Sequence, residues 1–411
     1  MNSYGIKFSI TIILVVLLII FSLDFNFNLT NIPELQFHKN QTLKLLLPSK
    51  KCKNPTYKTL FLTSDFRNVS TQISKKHKII EYKNNINSFL TYYMDDKEYK
   101  QYKYLLLSQG VISSDSLYSD NNFYFSVKAI DLMRYNKSLL GLNSFKKYHL
   151  LYRYDVFTKD SLYMNYLKMK KNFEDDYDFM AETYNYPIDK DIIGKKFSNY
   201  TLDINNLWLV KPKNLFGGIG IKILDSLKKV KINEYLITKY ITNLDLIRNK
   251  KYDFRLYILI SGLKPLRIYF YQEGLVRIAT KNYSLDKNTI HNRFIYLTNT
   301  GVNEQSKDFV LPNLTNVEKA NTWNLETYSN HLKKKNINFK IIRDKIKDII
   351  IKSMISVYEN LTLEQNQNNL SDINFYDVLG YDLILKDNYE PVLLEINKNP
   401  SKKFDRKSYQ N

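Results

Sequence analysis

Three oxygen-bearing side chains near the C-terminus have the types and the spacing of a metal-binding site. Asp382 lies in an apolar, strand-like run, and Glu395 and Asn397 lie in the next such run. The turn-forming segment 386–389 separates the two runs, a pattern that predicts a β-hairpin. Residues two apart on a strand share a face, so pairing within the hairpin could bring Asp382 opposite Glu395 and Asn397.

The chemistry that suits these side chains is Mg²⁺ binding, because Mg²⁺ takes few protein oxygens and completes its shell with water and phosphate. Burying three oxygen donors among leucine, isoleucine and valine is costly unless a cation neutralises them. The sequence therefore predicts a Mg²⁺ site formed by Asp382, Glu395 and Asn397. The alternative is an amphipathic hairpin that exposes these residues to solvent.

A lysine and a cluster of glycines further upstream could hold phosphate. Lys211 ends the apolar run 207–210, and Gly217, Gly218 and Gly220 follow in a chain that has only 11 glycines. Glycines let backbone N–H groups approach phosphate oxygens, and a nearby lysine supplies positive charge. The segment has neither a Walker nor a Rossmann pattern, and a plain hairpin turn would use the same glycines.

A third element alternates charged and apolar residues. Lys251, Asp253 and Arg255 occupy positions i, i+2 and i+4 of an apolar run, so on a strand they share one face. Arg277 follows in a later strand–turn–strand segment and is expected near the same layer. The same alternation fits a solvated strand edge, so the pattern alone leaves both interpretations open.

The elements that must position these residues indicate a mixed α/β chain. At 411 residues there is room for two or three domains, and a single cysteine, Cys52, excludes an intramolecular disulfide framework. Segment 338–358 has the periodicity of a long amphipathic helix. The net charge of +20 predicts an acidic partner, although a composition rich in Lys, Asn, Ile and Tyr explains part of it. No basic cluster with interleaved aromatic residues indicates nucleic-acid binding.

The order of the motifs adds information that no single motif carries. A lysine-ending strand and a glycine loop come first, followed by a strand at 235–241 whose backbone edge could bind a purine. The charged strand and the hairpin come last. In this order they resemble the tubulin tyrosine ligase-like family, whose catalytic unit is an ATP-grasp fold, over about residues 143 to 401. The blocks that carry the resemblance are Val210-Lys211-Pro212, Lys251-Tyr252-Asp253-Phe254-Arg255, Glu273-Gly274-Leu275-Val276-Arg277, Leu297-Thr298-Asn299 and Leu394-Glu395-Ile396-Asn397.

The resemblance implies a role for each motif residue. Arg277 would bind the carboxylate of an incoming amino acid, which suits a bidentate guanidinium, and Arg255 could steady an acyl-phosphate intermediate. The metal ligands would be Asp382, Glu395 and Asn397. The residues implied to bind ATP are Lys211, Gly217, Gly218, Gly220, Lys239, Tyr240, Ile241, Lys251, Asp253, Thr298 and Asn299.

The implied reaction is an ATP- and Mg²⁺-dependent ligation. A substrate carboxylate attacks the γ-phosphate of ATP, and the amine of a free amino acid then displaces phosphate. Segment 265–277 is more similar to glutamate-adding than to tyrosine-adding members, so the expected amino acid is glutamate. The expected acceptor is an acidic protein tail, that of tubulin, which would complement the basic chain.

Three departures from the family pattern keep other readings open. Ile219 stands where relatives carry an arginine, Thr238 stands where they carry a glutamine, and segment 300–304 differs. One alternative is an ATP-grasp ligase with a non-tubulin acceptor. Another is a membrane-anchored, degenerate relative that binds nucleotide without turnover.

The N-terminus adds an expectation about localisation. Residues 8–23 form an uninterrupted apolar or hydroxyl run that predicts a signal anchor, with a cleaved signal peptide as the alternative. The protein is therefore expected to be anchored to a membrane by an N-terminal helix. Its catalytic domain would be cytoplasmic and microtubule-associated if the family substrate applies, and lumenal or secreted otherwise. The expected organisation is a signal anchor or peptide at 1–23, a tether at 24–55, an N-terminal α/β domain at 56–135, a central ATP-grasp domain at 136–242, a C-terminal ATP-grasp domain with the metal hairpin at 243–403 and a tail at 404–411.

Overall fold

The chain divides into two compact units. The first comprises Met1–Tyr152 and Gln365–Tyr376, and the second comprises Arg153–Glu364 and Asp377–Asn411. The computed structural model describes residues 156–215, 217–263, 265–312, 316–367, 374–398 and 400, together with six short strands nearer the N-terminus. These strands are β1 (Leu43–Lys44), β2 (Phe61–Leu62), β3 (Thr91–Met94), β4 (Ile112–Ser114), β5 (Phe123–Phe125) and β6 (Lys147–His149).

In the first unit, four of these strands form a parallel sheet in the order β4-β3-β5-β6. Residues 374–376 extend it by pairing in parallel with β6. Strands β1 and β2 pair with each other in antiparallel fashion.

The second unit contains most of the described chain. Its helices are α1 (Lys159–Asn172), α2 (Lys190–Phe197), α3 (Arg293–Tyr296), α4 (Thr300–Asn303), α5 (Leu325–Lys334) and α6 (Phe339–Gln367), with 3-10 turns at Glu174–Asp176, Leu227–Lys229 and Val317–Lys319. Its strands are β7 (Thr183–Tyr186), β8 (Trp208–Pro212), β9 (Lys222–Ile223), β10 (Tyr235–Lys239), β11 (Tyr252–Leu263), β12 (Leu266–Ile278), β13 (Thr322–Asn324), β14 (Asn374–Leu385) and β15 (Pro391–Lys398).

A four-stranded antiparallel sheet in the order β7-β10-β8-β9 carries the glycine loop. One face is apolar, because Trp208 and Val210 of β8 and Ile237 of β10 are buried with Phe197 of α2. The Phe197 and Trp208 rings meet edge to face with centroids 5.0 Å apart. Since strand residues alternate between faces, Lys211 points away from this core.

A second antiparallel sheet has the order β13-β12-β11-β14-β15. On its packed face Phe254 meets Tyr328 of α5 at 5.0 Å between ring centroids, and the Tyr381 hydroxyl lies 2.9 Å from Ser353 of α6. The intervening residues of β11 face the opposite way. The predicted long helix is confirmed and extends further than 338–358, and its predicted apolar face is buried at Ile342, Ile346, Ile349, Ile350, Met354 and Val357.

The mixed α/β architecture confirms the coarse fold prediction, but the membrane prediction needs correction. Among the helices of the described residues, none has the length and apolar character that crossing a membrane requires. Residues 1–23, to which the N-terminal helix was assigned, lie outside the described residues. The expected membrane anchor is therefore not retained.

Candidate active site

The predicted C-terminal hairpin is present and brings the three proposed metal ligands together. Strands β14 and β15 pair so that Asp382 lies directly opposite Glu395. The Nδ2 atom of Asn397 lies 3.3 Å from Asp382 Oδ2 and 3.1 Å from Glu395 Oε1. Two carboxylates and one amide thus converge on one sheet face, as the two-residue spacing predicted.

The register of four strands builds a line of charges across this face. Asp253 pairs with Arg277, Arg255 pairs with Asp382, and Asp382 pairs with Glu395. We call these five residues the charge row. It runs from β12 through β11 and β14 to β15, so each member is placed by a backbone ladder rather than by a loop.

Within the charge row, the two arginines and two aspartates satisfy one another. Arg277 donates through Nε and Nη2 to the two oxygens of Asp253, at 2.7 and 2.6 Å, and through Nη2 to Asp382 at 2.9 Å. Arg255 donates to Asp382 through Nε and Nη2, at 2.5 and 2.9 Å. Thr298 donates to Asp253 at 2.6 Å. Such charge-assisted, bidentate contacts fix side-chain positions firmly.

The electrostatics of Asp382 and Glu395 differ although the two residues are paired. Burial alone would raise the pKa of Asp382, but Arg277 and Arg255 outweigh it and hold the pKa below its ordinary value. The pKa of Glu395 is raised, first by burial and then by the neighbouring charge of Asp382. A bound cation would offset the electrostatic repulsion between two adjacent carboxylates of this kind.

The donor set fits Mg²⁺ with Asn397 included. Among the described residues, no group of three or more His, Cys, Asp or Glu side chains could hold a metal, so two carboxylates need a further donor. The Asn397 amide lies against both of them, and a flip of its amide would present an oxygen instead of a nitrogen. Mg²⁺ needs only such a small set of protein oxygens.

Two lysines, which we call the lysine pair, face the same cleft. Lys211 of β8 and Lys251, just before β11, line it, and neither makes an ion pair with any residue in the described part of the chain. Burial lowers the pKa of Lys211 to about 8 and that of Lys251 to about 7. Lys251 Nζ donates to the Tyr240 hydroxyl at 3.3 Å. A phosphate would supply the negative charge that this pair lacks.

The glycine loop adopts a backbone that requires glycine. Gly217, Gly218 and Gly220 have φ values of 65°, 80° and 74°, in the left-handed region. A Cβ on Gly218 would lie 2.7 Å from Asn299 Oδ1, so the loop packs closely over that side chain. Ile219 is 61 % exposed at the tip.

One cleft gathers most of the predicted site residues. The lining of this cleft does not include Gly217, Gly220, Arg255, Arg277 or Asn397. Three of these residues, Arg255, Arg277 and Asn397, contact Asp382, which does line the cleft. The predicted residues that line the cleft are Lys211, Gly218, Lys239, Tyr240, Ile241, Lys251, Asp253, Thr298, Asn299, Asp382 and Glu395.

Lys159 and Thr183 also line the cleft, and sequence reasoning did not place them in the site. Lys159, at the start of α1, donates from Nζ to the carbonyl oxygen of Leu215 at 2.6 Å. Its charge lowers the pKa of both Lys211 and Glu395, after the larger effect of burial on each. The sequence feature that could have indicated Lys159 is the segment Lys159-Asp160-Ser161-Leu162, which resembles a Lys-Asp-x-Leu block of the family. Thr183 has no such feature in the sequence and is placed in the cleft only by strand pairing.

Comparisons with known proteins match the part of the chain that contains this site. The sequence profile described as the Tubulin-tyrosine ligase family matches residues 142–411. Tubulin monoglutamylase TTLL4 of Mus musculus is 29 % identical over 250 residues, which are 60 % of this chain and 21 % of the relative.

Two further relatives give the same picture. Tubulin polyglutamylase TTLL5 of Mus musculus is 29 % identical over 256 residues, 62 % of this chain and 19 % of the relative. Tubulin polyglutamylase ttll-4 of Caenorhabditis elegans is 30 % identical over 244 residues, 59 % of this chain and 39 % of the relative. The match thus spans about a fifth of the length of the first two relatives. Their names concern tubulin modification, which is a second finding against the predicted membrane localisation.

Proposed function

The chain belongs to the tubulin-tyrosine ligase family, and from that premise we propose that it is an ATP- and Mg²⁺-dependent ligase that adds glutamate to a carboxylate of tubulin's acidic tail. The relatives named above are tubulin glutamylases, which favours glutamate and tubulin as the substrates. The proposal includes an ATP-grasp fold, with its central domain at 136–242 and its C-terminal domain at 243–403.

The observation that carries the proposal is the meeting of the lysine pair with two carboxylates of the charge row in one cleft. Lys211 and Lys251 line the cleft together with Asp382 and Glu395. Cations without ion-pair partners suit a polyphosphate, and the carboxylates suit the Mg²⁺ that accompanies it. A nucleotide triphosphate needs both kinds of group at once.

In this proposal the protein's residues position charges and need no nucleophile. Lys211 and Lys251 bind phosphate oxygens, and Asp382, Glu395 and Asn397 hold Mg²⁺. When bound, ATP supplies the phosphoryl group that activates the acceptor carboxylate.

The two arginines have different proposed tasks. Arg255 lies beside Asp382, to which it donates, and steadies the activated acceptor. Arg277 uses Nε and Nη2 to hold Asp253 and Asp382. Its proposed contact with the carboxylate of the incoming glutamate is therefore made through Nη1.

The test offers labelled glutamate, glycine and tyrosine separately to the purified full chain with ATP, Mg²⁺ and tubulin. We expect incorporation of glutamate alone, and no incorporation into tubulin whose acidic tails have been removed. Incorporation of tyrosine or glycine in place of glutamate, or none of the three, would contradict the proposal.

Glu395→Gln is the variant that ties this activity to the site. It removes one charge from the proposed metal ligands and keeps the shape of the side chain, so we expect turnover to be abolished. Lys345→Gln is a suitable control, because Lys345 is exposed, pairs with Glu390 and does not line the cleft. Full activity of the Glu395→Gln variant would exclude the metal assignment.

Nucleotide binding without turnover is the second candidate, favoured by the exposed Ile219 at the tip of the glycine loop. At that tip a cation would help to close the loop over phosphate. Under this alternative, ATP binds in direct titrations but no amino acid is incorporated into any acceptor.

A further inference from the structure

Two buried asparagines lie beside the C-terminal end of β12, and neither lines the cleft. Asn303 of α4 is 1 % exposed, and Asn321, which directly precedes β13, is 2 % exposed. Burying a side-chain amide is costly unless its donors and its acceptor oxygen are bonded. The partners of each amide therefore indicate which parts of the protein it holds together.

Asn303 is bonded through both ends of its amide. Its Oδ1 accepts from the backbone N–H of Thr280 at 2.9 Å and from the Thr280 hydroxyl at 3.1 Å. Its Nδ2 donates to the carbonyl oxygen of Leu297 at 2.8 Å and to that of Asn299 at 3.3 Å. A backbone N–H can only donate and a carbonyl can only accept, so these partners fix the orientation of the amide.

The two carbonyls that Asn303 holds bracket a stretch of chain that faces the cleft. All three residues of segment 297–299 line the cleft. Thr298 donates to Asp253 of the charge row at 2.6 Å, and Asn299 packs closely against the glycine loop. Asn303 thus fixes this segment to the end of β12 without lining the cleft itself.

Asn321 makes the same kind of contacts but holds a different part of the chain. Its Oδ1 accepts from the backbone N–H of Val310 at 2.8 Å, and its Nδ2 donates to the carbonyls of Ile278 and Ala279 at 3.0 and 3.1 Å. None of these three partners lines the cleft. The two amides therefore match in burial and bonding, and they differ in whether they hold a segment of the cleft.

We propose that Asn303 is a positioning residue that holds Thr298 and Asn299 in place for nucleotide binding. The inference rests on the proposed nucleotide site and deepens it, because it assigns part of the order of that site to a residue outside the cleft. An aspartate could not replace Asn303, since a carboxylate has no donor for the two carbonyls. An apolar residue would remove the partner of the Leu297 carbonyl and of the Thr280 N–H, both in buried residues.

The experiment compares Asn303→Ala with Asn321→Ala, which removes a similarly buried amide from the same end of β12. Both changes should lower the urea midpoint of the full chain, because each removes the partner of buried backbone groups. Asn303→Ala alone should weaken ATP binding, measured by calorimetry without acceptor, by about tenfold. It should also raise the KM for ATP while the KM for tubulin stays unchanged. Asn321→Ala should bind ATP with the wild-type affinity.

A third variant, Thr280→Val, separates the two ends of the Asn303 amide. It removes the hydroxyl that donates to Oδ1 and leaves both bonds from Nδ2 to the carbonyls. ATP affinity should therefore stay within about twofold of the wild type. A loss as large as that in Asn303→Ala would place the effect at the end of β12 rather than in segment 297–299, and would overturn the proposal.

Hydrogen exchange of the wild type keeps the proposal testable if Asn303→Ala does not fold. The Thr280 N–H donates to Asn303 and the Val310 N–H donates to Asn321, so each amide proton reports on one asparagine. Without denaturant, exchange proceeds through local opening. ATP should slow exchange at Thr280 by about tenfold, because it stabilises the segment to which Asn303 is bonded, and should leave exchange at Val310 unchanged. Equal slowing at both positions, or at neither, contradicts the positioning role.

The failures of the two proposals are distinguishable. Equal losses of ATP affinity in Asn303→Ala and Asn321→Ala, or no loss in either, overturn the positioning role while nucleotide binding and glutamate incorporation by the wild type remain intact. Absence of ATP binding by the wild type overturns the proposed function and the positioning role together.

Discussion

The lysine pair and the carboxylates of the charge row line the same cleft, but their charges are balanced in different ways. In the charge row, Asp253 and Asp382 are each held by guanidinium groups at hydrogen-bond distance. In the lysine pair, Lys211 and Lys251 have no ion-pair partner among the described residues, and burial lowers the pKa of both. The arginines and aspartates of the charge row are satisfied without a ligand, whereas the lysine pair is satisfied only with one.

This difference separates two tasks that the sequence alone presents as one pattern of charged residues. A satisfied network fixes geometry before a ligand arrives, and its loss is felt by the fold. A buried cation without a partner destabilises the free protein, and this destabilisation is removed when an anion binds to it. Variants in the two regions should therefore change different measurements.

The largest effect is expected from Asp382→Asn in the charge row. It leaves Arg255 and Arg277 buried with half of their counter-charge removed, so the free energy of unfolding should fall by about 3–5 kcal/mol. Urea unfolding followed by tryptophan fluorescence reports this directly, because Trp208 and Trp323 both lie in the second unit. Glu395→Gln is the matched control: burial raises the pKa of Glu395, so its neutral analogue should cost little. Equal losses of unfolding free energy in the two variants would contradict the special contribution of Asp382 to stability.

The next effect is expected from Lys251→Met in the lysine pair, and it should appear in binding rather than in stability. ATP affinity should fall by about 10- to 100-fold, the value of one hydrogen bond to a charged group. Burial lowers the pKa of Lys251, so the lysine opposes folding at every pH below its unfolded pKa, and methionine removes that cost. The urea midpoint should therefore not fall. A clear loss of stability would mean that Lys251 belongs functionally to the charge row.

A smaller effect should appear in the pH dependence of binding. The charged form of Lys251 binds phosphate, and its pKa of about 7 means that this form disappears as the pH rises through 7. The advantage of the wild type over Lys251→Met should therefore be greatest at pH 6 and should shrink several-fold by pH 8. Using the ratio of the two affinities cancels the ionisation of ATP itself. A ratio that is constant across this range would contradict the lowered pKa.

The smallest effect is expected at the tip of the glycine loop. Ile219→Arg adds an exposed cation near the lysine pair, which should tighten ATP binding by up to about fivefold at low salt, the scale of an exposed ion pair. The gain should disappear at high salt, because exposed charges are screened. Ile219→Gln controls for the loss of an apolar side chain, and an equal gain in that variant would rule out a charge effect.

The sequence was most informative where local spacing sets geometry. The two-residue spacing of Glu395 and Asn397 and the turn before them predicted the hairpin, and strand alternation predicted that Asp253 and Arg255 share a face. These features need only the period of a strand. The coarse fold followed in the same way from apolar periodicity.

What the sequence could not predict depends on strand register. Arg277 was assigned to a free carboxylate, yet it also holds Asp253 and Asp382, because β11 and β12 pair with shifts between Leu256 and Ile258 that spacing does not reveal. The Thr183–Thr238 contact joins residues 55 positions apart. Long-range partners of this kind come from tertiary packing, which local patterns do not encode.

The close approach of Gly218 to Asn299 has a consequence for how this chain tolerates mutation. Because a Cβ at Gly218 would press on Asn299 Oδ1, the effects of changes at the two positions should not be additive. In a library of paired variants, Gly218→Ala should be less damaging when Asn299 is also alanine, with the strain at φ 80° as the remaining cost. The residue tolerated at one position of the glycine loop should thus depend on the residue in the segment after α3, although 81 positions separate Gly218 from Asn299.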